Sequence, residues 1–407
     1  MQLFQEQMPM KSWFRFIGNN KRLLNFGFLF NFFSSFGQTF FISLFVPFWV
    51  KSLGITNTAF GSIYSIITII SAFLLSLSGS LIDKMSLKKY GLIVFSGLML
   101  SVILLSQAYN ITVLILGLLL IRWFGQGLMT HTSVTGIAKS FENNSGHALG
   151  FTALGNPAGQ FVFPLLTIPL ISLAGWRLSL IYMAFAASVF VIPALWAIRS
   201  FPRSVSCDSE KQPEIMSENG HYFRSMKFWI IALNAFIIPF ITTAVFLYQY
   251  TIGQIRGWDS SWVAFSFAFY AVFNALALLL SGILTNKYSG VYLFPLYLIP
   301  AFTALIIMPF IESKWIFPLF YAFLGISGGM GSTIKTVVLV DIYGTKDLGR
   351  IRSYFSTFLV LSTALGPPVF GYFLDRQYPI SNILIFAGIC VLIIMLLSFR
   401  LWKYRTA

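Results

Sequence analysis

The feature that most constrains this chain is a series of twelve apolar segments, each about as long as a bilayer is thick. About 20 apolar residues in a helix span the hydrocarbon core of a membrane. Helices satisfy every backbone hydrogen bond internally, so the pattern predicts an all-α polytopic membrane protein. The segments are 22–49, 57–82, 89–108, 111–138, 147–172, 175–198, 228–251, 261–283, 290–311, 315–340, 352–374 and 380–400.

Composition and charge agree with this class. Only 10% of the 407 residues are charged, compared with about 25% in soluble domains. The net charge of +15 would suggest a nucleic-acid partner in a soluble protein, but here it reflects topology. With twelve spans, twenty lysines and arginines lie on the side of the termini and five on the other. The positive-inside rule therefore predicts cytoplasmic termini, and we expect anionic lipids, not nucleic acid, around the basic loops.

The sequence offers no sign of metal, cofactor or enzyme chemistry. Cys207 and Cys390 lie in a cytoplasmic loop and in mid-membrane, so they cannot pair. The three histidines are scattered, and no spacing suggests zinc, haem or an iron–sulfur cluster. There is no phosphate-binding loop for ATP and no recognisable nucleophile elbow. We therefore expect a protein that is not an enzyme and needs no cofactor.

The chain divides into two similar halves. The polar stretch 199–227 separates 1–198 from 228–407, each with six predicted spans, and is interpreted as a cytoplasmic linker. Seven residue identities recur at one offset of 203 positions, which indicates duplication of a six-helix unit. Transporters built from such halves bind substrate near the membrane midplane, between the halves. The matching pairs include Gly79 with Gly282, Gly125 with Gly328, and Asn31 with Asn234.

The loop after the second segment carries a glycine, an aspartate and a run of lysines. It resembles the loop 2–3 signature of the major facilitator superfamily, although Ser86 stands where that family usually has glycine. The resemblance implies two pseudo-symmetric six-helix bundles with cytoplasmic termini, and a gate at this loop that holds the cytoplasmic side together. Ordinary loop topology is the alternative. The implied gating residues are Gly79, Asp83, Lys84, Lys88 and Lys89.

The fourth segment places Arg122 at mid-membrane, where a charge costs roughly 2.5–3.5 kcal/mol or more. At 100° per residue, Arg122, Gln126 and Ser133 form one polar stripe, and His131 faces the opposite side. The arginine followed by paired glycines is similar to a second signature of the same superfamily. Arg122 is either a substrate or gating contact, or it bonds neighbouring backbone carbonyls.

Polar residues in other spans are further candidates for the substrate cavity. For Asn156 and Gln160 the alternative is hydrogen bonding between helices, and for Lys335 it is snorkelling or an ion pair. The complete set of predicted substrate-binding residues is Asn31, Gln38, Arg122, Gln126, Asn156, Gln160, Tyr248, Asn274 and Lys335.

Three short runs, 34–40, 122–133 and 362–368, look like bacterial transporters near the monocarboxylate and oxalate:formate branch of the superfamily. The eighth span departs from that branch, because it offers Tyr270 and Asn274 where a charged Asp/Arg pair is typical. The resemblance also implies alternating access by rocking of the two bundles.

Charge then indicates the substrate. No acidic residue lies at mid-membrane, so the fixed charge there is positive and favours a small organic anion, such as a carboxylate. Importing a lone monoanion against 100 mV requires about 2.3 kcal/mol, so a proton or a counter-transported anion is expected. An efflux pump for amphipathic compounds and a non-transporting membrane sensor or scaffold are alternatives. The compact loops fit a monomer in the bacterial inner membrane.

Overall fold

The computed structural model describes residues 10–141, 145–198, 221–344 and 348–404, and the regular secondary structure of this part of the chain is entirely helical. A π-helix, Ile121–Met129, joins the α-helices Ile111–Leu120 and Thr130–Ser140. The α-helices of more than one turn are α1 (Met10–Phe33), α2 (Val46–Leu53), α3 (Asn57–Ser78), α4 (Leu87–Ser106), α5 (Ile111–Leu120), α6 (Thr130–Ser140), α7 (Ser145–Ala153), α8 (Gly155–Ala197), α9 (Met226–Leu247), α10 (Gln249–Ile255), α11 (Ser260–Lys287), α12 (Gly290–Leu296), α13 (Ile299–Ile307), α14 (Ile316–Tyr343), α15 (Leu348–Asp375) and α16 (Ile380–Ser398).

Among the described residues, ten helical ranges are long and apolar enough to cross a membrane. They coincide with eleven of the predicted segments, since one range covers two of them. These ranges are Asn57–Asp83, Leu87–Ser106, Ile111–Ser140, His147–Ala197, Met226–Leu247, Ser260–Thr285, Gly290–Phe310, Ile316–Tyr343, Ile351–Asp375 and Ile380–Lys403. The prediction of an all-helical polytopic protein agrees with this architecture.

The longest range, His147–Ala197, corresponds to the predicted segments 147–172 and 175–198. Gly175 interrupts its helical geometry with φ 76° and ψ 160°. Glycine reaches this conformation at little steric cost, whereas most other residues are rarely found at positive φ. The chain therefore changes direction at Gly175, where the sequence predicted the boundary between two spans.

The sequence predicts one continuous helix over 22–49, but the structure breaks this first segment. Helix α1 ends at Phe33, a 3₁₀ turn follows over Ser34–Gly37, and α2 begins only at Val46. The reason is a close approach of two backbones: a Cβ on Gly37 would lie 2.2 Å from the Gln126 backbone nitrogen. The irregular turn allows the first segment to pass against the π-helix without a side chain between them.

Packing of aromatic rings fills much of the first half. Phe36 stacks on Phe41 with ring centroids 4.6 Å apart, and Phe163 lies 5.0 Å from Phe36. Between membrane helices the hydrophobic effect is weak, so close van der Waals packing of this kind supplies much of the stability. Two helix pairs join the halves to each other: α3 packs along α15, and α8 packs along α11.

Candidate functional site

A cavity of about 540 Å³ lies between the two halves. Side chains from the first segment, the π-helix and α8 line it on one side, and α9, α11, α14 and α15 line it on the other. Its polar and charged lining residues are Gln38, Thr39, Arg122, Gln126, Gln160, Thr242, Thr243, Tyr270, Ser332, Lys335, Thr336, Arg352, Ser356 and Thr363. Three of them are cations, and none of the residues that line the cavity is acidic.

Arg122 lies in the π-helix and is 4% exposed. Its guanidinium donates to the Gly37 carbonyl and to the Thr68 hydroxyl, both at 3.3 Å, and lies 4.9 Å from the centre of the Tyr64 ring. The Nε atom has no hydrogen-bond partner within the described residues. Arg122 therefore combines the two alternatives from the sequence, because it bonds a backbone carbonyl and still lines the cavity.

Three glutamines, Gln38, Gln126 and Gln160, also line the cavity. Gln160 donates to the Asn156 side-chain oxygen at 2.8 Å, while its own Oε1 is buried without a partner in the described part of the chain. Asn156 does not line the cavity and instead orients Gln160. Gln126 follows Arg122 by one turn of the π-helix. The first half thus presents one cation and several amide groups to the cavity.

The second half contributes two cations. Lys335 lies 5.7 Å from the centre of the Tyr297 ring, and it makes no ion pair with any described residue. Asp341, the acidic residue nearest in sequence, accepts a hydrogen bond from Ser289 at 2.9 Å instead. Arg352 was not among the predicted residues, because its position at the start of a span resembled an ordinary cytoplasmic flank. Helix α15 begins before it and carries it into the cavity wall.

The other predicted residues lie outside the cavity lining. Asn31 donates to the Ser133 hydroxyl and to the Thr152 carbonyl, each at 3.0 Å. Asn274 reaches the Gly325 carbonyl at 3.4 Å, and the Tyr248 hydroxyl donates to the Asn57 carbonyl. In this conformation these side chains join helices, and their role in substrate binding stays a prediction.

The predicted polar stripe is wrong at Ser133. This side chain is fully buried and donates to the Gly27 carbonyl at 2.7 Å, so it faces α1 and not the cavity. The stripe assumed 100° per residue, but the π-helix between Arg122 and Ser133 has i→i+5 bonds and more residues per turn. His131 does face another helix, as predicted, with Nε2 at 3.1 Å from the Gly79 carbonyl oxygen.

At one end the two halves are joined by hydrogen bonds. The Asp375 carboxylate accepts from the backbone and side chain of both Asn57 and Thr58, at 2.5–2.9 Å. Asp375 ends α15 in the second half, and the donors begin α3 in the first, so this carboxylate caps a helix of the other half. We call these contacts the Asp375 cap.

Deeper in the same region, a buried chain of hydrogen bonds also crosses between the halves. The Gln249 side chain donates to the Ser43 hydroxyl at 2.8 Å and accepts from the Tyr321 hydroxyl at 2.9 Å. Phe40 stacks on Phe267 with centroids 5.5 Å apart. At the opposite end, the cavity lining reaches Leu339 and Arg352, near the end of α14 and the start of α15. The cavity is thus closed toward Asp375 and extends toward the termini.

The predicted gating loop lies at the end of the molecule that carries the termini. Asp83 forms an ion pair with Lys139 at the end of α6, a partner that the sequence did not indicate. Ser86, at the position usually occupied by glycine, caps α4 by accepting from the Lys89 backbone nitrogen at 3.4 Å. Lys88 lies 5.2 Å from the centre of the Trp196 ring, whereas Lys84 is exposed. All these contacts remain within the first half.

Membrane-spanning helices in two joined halves around a central polar cavity define a multi-pass transporter. The Major Facilitator Superfamily profile matches residues 27–334 and 269–406, and the chain belongs to this family. The fold is similar to a bacterial homolog of the human lysosomal transporter Spinster in an inward-facing, unoccupied conformation. That similarity has a TM-score of 0.71 and 13% identity, over 98% of this chain and 100% of the other.

A second similar structure is the nucleoside transporter NupG, with a TM-score of 0.70 and 12% identity, over 98% of this chain and 100% of the other. At such identities the two similar structures establish the fold alone. No curated protein matches the sequence.

Proposed function

We propose that this transporter carries a small organic anion, such as a carboxylate, through the cavity between its halves. One observation carries the proposal: Arg122, Lys335 and Arg352 line the cavity, and no acidic side chain lines it with them. Of these, Arg122 is buried, and a buried charge without a counter-charge is unfavourable, so a bound anion would supply that counter-charge. The cations come from both halves, so an anion between them would contact both.

Lys335 gives the strongest support from a single residue. It has no ion pair among the described residues, and a lysine in this position needs an anion, water or the Tyr297 ring to stabilise its charge. Arg122 is held in place by Gly37 and Thr68, which pre-organises its guanidinium. Pre-organisation reduces the entropy lost when a substrate binds.

The apolar part of the cavity further describes the substrate. Ile231, Ile238 and Phe246 form a wall opposite the glutamines of the first half. A lining of this kind favours an anion with an apolar body over a strongly hydrated inorganic ion.

The same proposal includes topology and mechanism. We infer twelve crossings, because the range His147–Ala197 breaks at Gly175 and the first segment 22–49 adds another crossing. The bundles are then 1–198 and 228–407, joined by the linker 199–227, which lies almost wholly outside the described residues. Cytoplasmic termini follow from the lysine and arginine distribution. In that orientation the cavity faces the cytoplasm, and the bundles alternate access by rocking, in a monomer of the bacterial inner membrane.

The charge of the substrate determines what must drive its transport. Uptake of a monoanion against an inside-negative potential of 100 mV requires about 2.3 kcal/mol. Exchange for an outgoing anion cancels this term without an acidic proton carrier. We therefore propose anion exchange, or downhill export, as the mode of transport.

The test is the thermal stability of purified protein with a panel of carboxylates, followed by exchange assays in liposomes. A ligand at 100 times its Kd stabilises by about 2.7 kcal/mol. Stabilisation by a carboxylate should disappear in Arg122→Gln and in Lys335→Gln, and persist in the matched control Lys314→Gln, outside the cavity. If both cavity variants keep the full response and normal exchange, the proposal is wrong.

Export of amphipathic compounds is a second candidate, favoured by the aromatic lining residues Phe40, Phe246, Tyr270 and Phe355. Aromatic faces bind lipophilic cations. Stabilisation by such cations but not by carboxylates, unchanged in Lys335→Gln, would favour this function over the first.

A further inference from the structure

A pair of recesses lies on the outside of the first half, at the end that carries the termini. The larger recess, of about 640 Å³, is bounded by α1, α7 and the last turns of α8. A smaller one of about 480 Å³ adjoins it. Lys21, Arg22 and Ala197 belong to both, so the two recesses meet at a pair of cations. We call the combined feature the outer groove. It shares no lining residue with the central cavity.

The polar end of the outer groove begins at a kink in α1. Asn20 has non-helical φ and ψ of −113° and 16°, and its side chain donates to the Phe16 carbonyl at 3.0 Å. Lys21 and Arg22 follow directly, and both are exposed. Neither makes an ion pair with a described residue. The kink thus leaves two cations at this end of the groove without a counter-charge among the described residues.

The other end of the groove is lined by apolar side chains and opens at the outer surface of the molecule. Phe28 and Phe151 form its floor, with ring centroids 6.0 Å apart. Phe190 is 59% exposed on its edge. Pro193 lies inside α8, where its ring excludes one backbone hydrogen bond and irregular packing follows. A hydrocarbon chain lying here would contact aromatic rings on both sides.

We propose that the outer groove binds an anionic glycerophospholipid from the leaflet on the side of the termini. The phosphate would lie between Lys21 and Arg22, and an acyl chain would follow Phe28 toward Phe190. The larger recess, of about 640 Å³, lies within the roughly 300–1,000 Å³ of small-molecule sites. Charge complementarity selects the occupant, because two exposed cations with no ion pair in the described part of the chain lie beside an apolar groove, and they match an anionic headgroup above an acyl chain.

The site is independent of the transported substrate and adds a ligand to the proposed function. The lipid would bridge α1 and α8, which belong to one half. Helix α1 leads to Gly37, the residue that holds Arg122. Bound lipid should therefore stabilise the half of the protein that positions this arginine.

The experiment uses the full-length protein in detergent, titrated with phosphatidylglycerol or with phosphatidylcholine of identical acyl chains. Binding is measured by native mass spectrometry and by thermal stability. Each basic residue near a membrane surface contributes about a fivefold gain in affinity for anionic lipid. The double variant Lys21→Gln/Arg22→Gln should thus bind phosphatidylglycerol about 30-fold more weakly. Ala197→Trp, which fills the groove without changing charge, should also block binding.

The matched control is Lys287→Gln/Arg400→Gln, which removes two exposed cations from the same side of the second half. The proposal requires that this control binds phosphatidylglycerol as the wild type does. It is overturned if both lipids bind equally, if the groove variants bind normally, or if the control loses as much affinity. Inorganic phosphate that produces the full stabilisation alone would contradict a lipid site. Equal destabilisation of the double variant in lipid-free detergent would show that the cations hold another part of the chain.

Discussion

Removal of the Asp375 cap should shift this protein away from the conformation described. The carboxylate accepts four hydrogen bonds from Asn57 and Thr58 across the interface between the halves. In Asp375→Ala these bonds are lost in the closed state only, because the halves separate at this end when the cavity opens there. The substitution therefore changes the equilibrium between conformations and not only overall stability.

The magnitude follows from comparison with helix caps. Hydrogen bonds to charged groups are worth about 1.5–3 kcal/mol when buried, but Asp375 is exposed and water competes for its partners. Thr56 still caps α3 in the variant, since its hydroxyl accepts from the Ala59 backbone nitrogen at 3.1 Å. A loss of about 1–2 kcal/mol is therefore expected, in the range of a cap replaced by alanine. This corresponds to a roughly 5- to 30-fold shift toward the state that is open at this end.

Double electron–electron resonance between two spin labels measures this shift in the conformational equilibrium. Labels at Ser52→Cys and Ser261→Cys lie on different halves at the Asp375 end, in a background with Cys207 and Cys390 replaced by serine. Asp375→Ala should increase the population of long distances between the labels.

Asp259→Ala is the matched control, since Asp259 caps its own helix by accepting from the Trp262 backbone nitrogen at 2.9 Å. It should lower thermal stability without changing the distance distribution. If Asp375→Ala leaves the distances unchanged, or if Asp259→Ala changes them equally, the carboxylate does not hold the halves together.

Three other substitutions test the packing, the buried network and the gating loop. Gly37→Ala should lower the free energy of unfolding by about 1–3 kcal/mol, because its methyl group would overlap the π-helix backbone. The control Gly150→Ala has open space around it and should be nearly neutral in thermal unfolding. Tyr321→Phe leaves the buried Gln249 oxygen without its donor and should lower the free energy of unfolding by about 1–3 kcal/mol. In a double-mutant cycle with Gln249→Leu, the coupling energy should show that the two side chains stabilise each other. Lys139→Gln breaks an exposed ion pair worth less than about 1 kcal/mol, so thermal stability should stay nearly constant while transport rates in liposomes change. Unchanged rates would exclude Lys139 from gating.

The membrane-spanning architecture could be predicted from sequence because it depends on composition averaged over about 20 residues. The break at Gly175 coincides with the predicted gap between two segments, since glycine is the residue that such a turn requires. The identity of the cavity region was also accessible, because a buried arginine is rare and expensive in a membrane. Gln38, Arg122, Gln126, Gln160 and Lys335 all line the cavity.

Contacts between segments that are distant in sequence could not be predicted from the sequence alone. The π-helix changes the direction of every residue after it, so Ser133 was placed on the wrong face. Asp375 read as an ordinary residue at the end of a span, because its partners lie more than 300 positions away. The pairing of Asp83 with Lys139 is likewise defined only once two helix ends meet.

The π-helix has a mechanical consequence for the first half. Arg122 in the cavity wall lies near the start of its nine residues, and Lys139 at the predicted gating loop lies beyond them, near the end of α6. A wider turn contains one residue more than an α-turn, so its conversion to α-helix would rotate α6 by about one residue's angle relative to α5. A change at Arg122 that tightened these turns would therefore rotate Lys139 relative to Asp83.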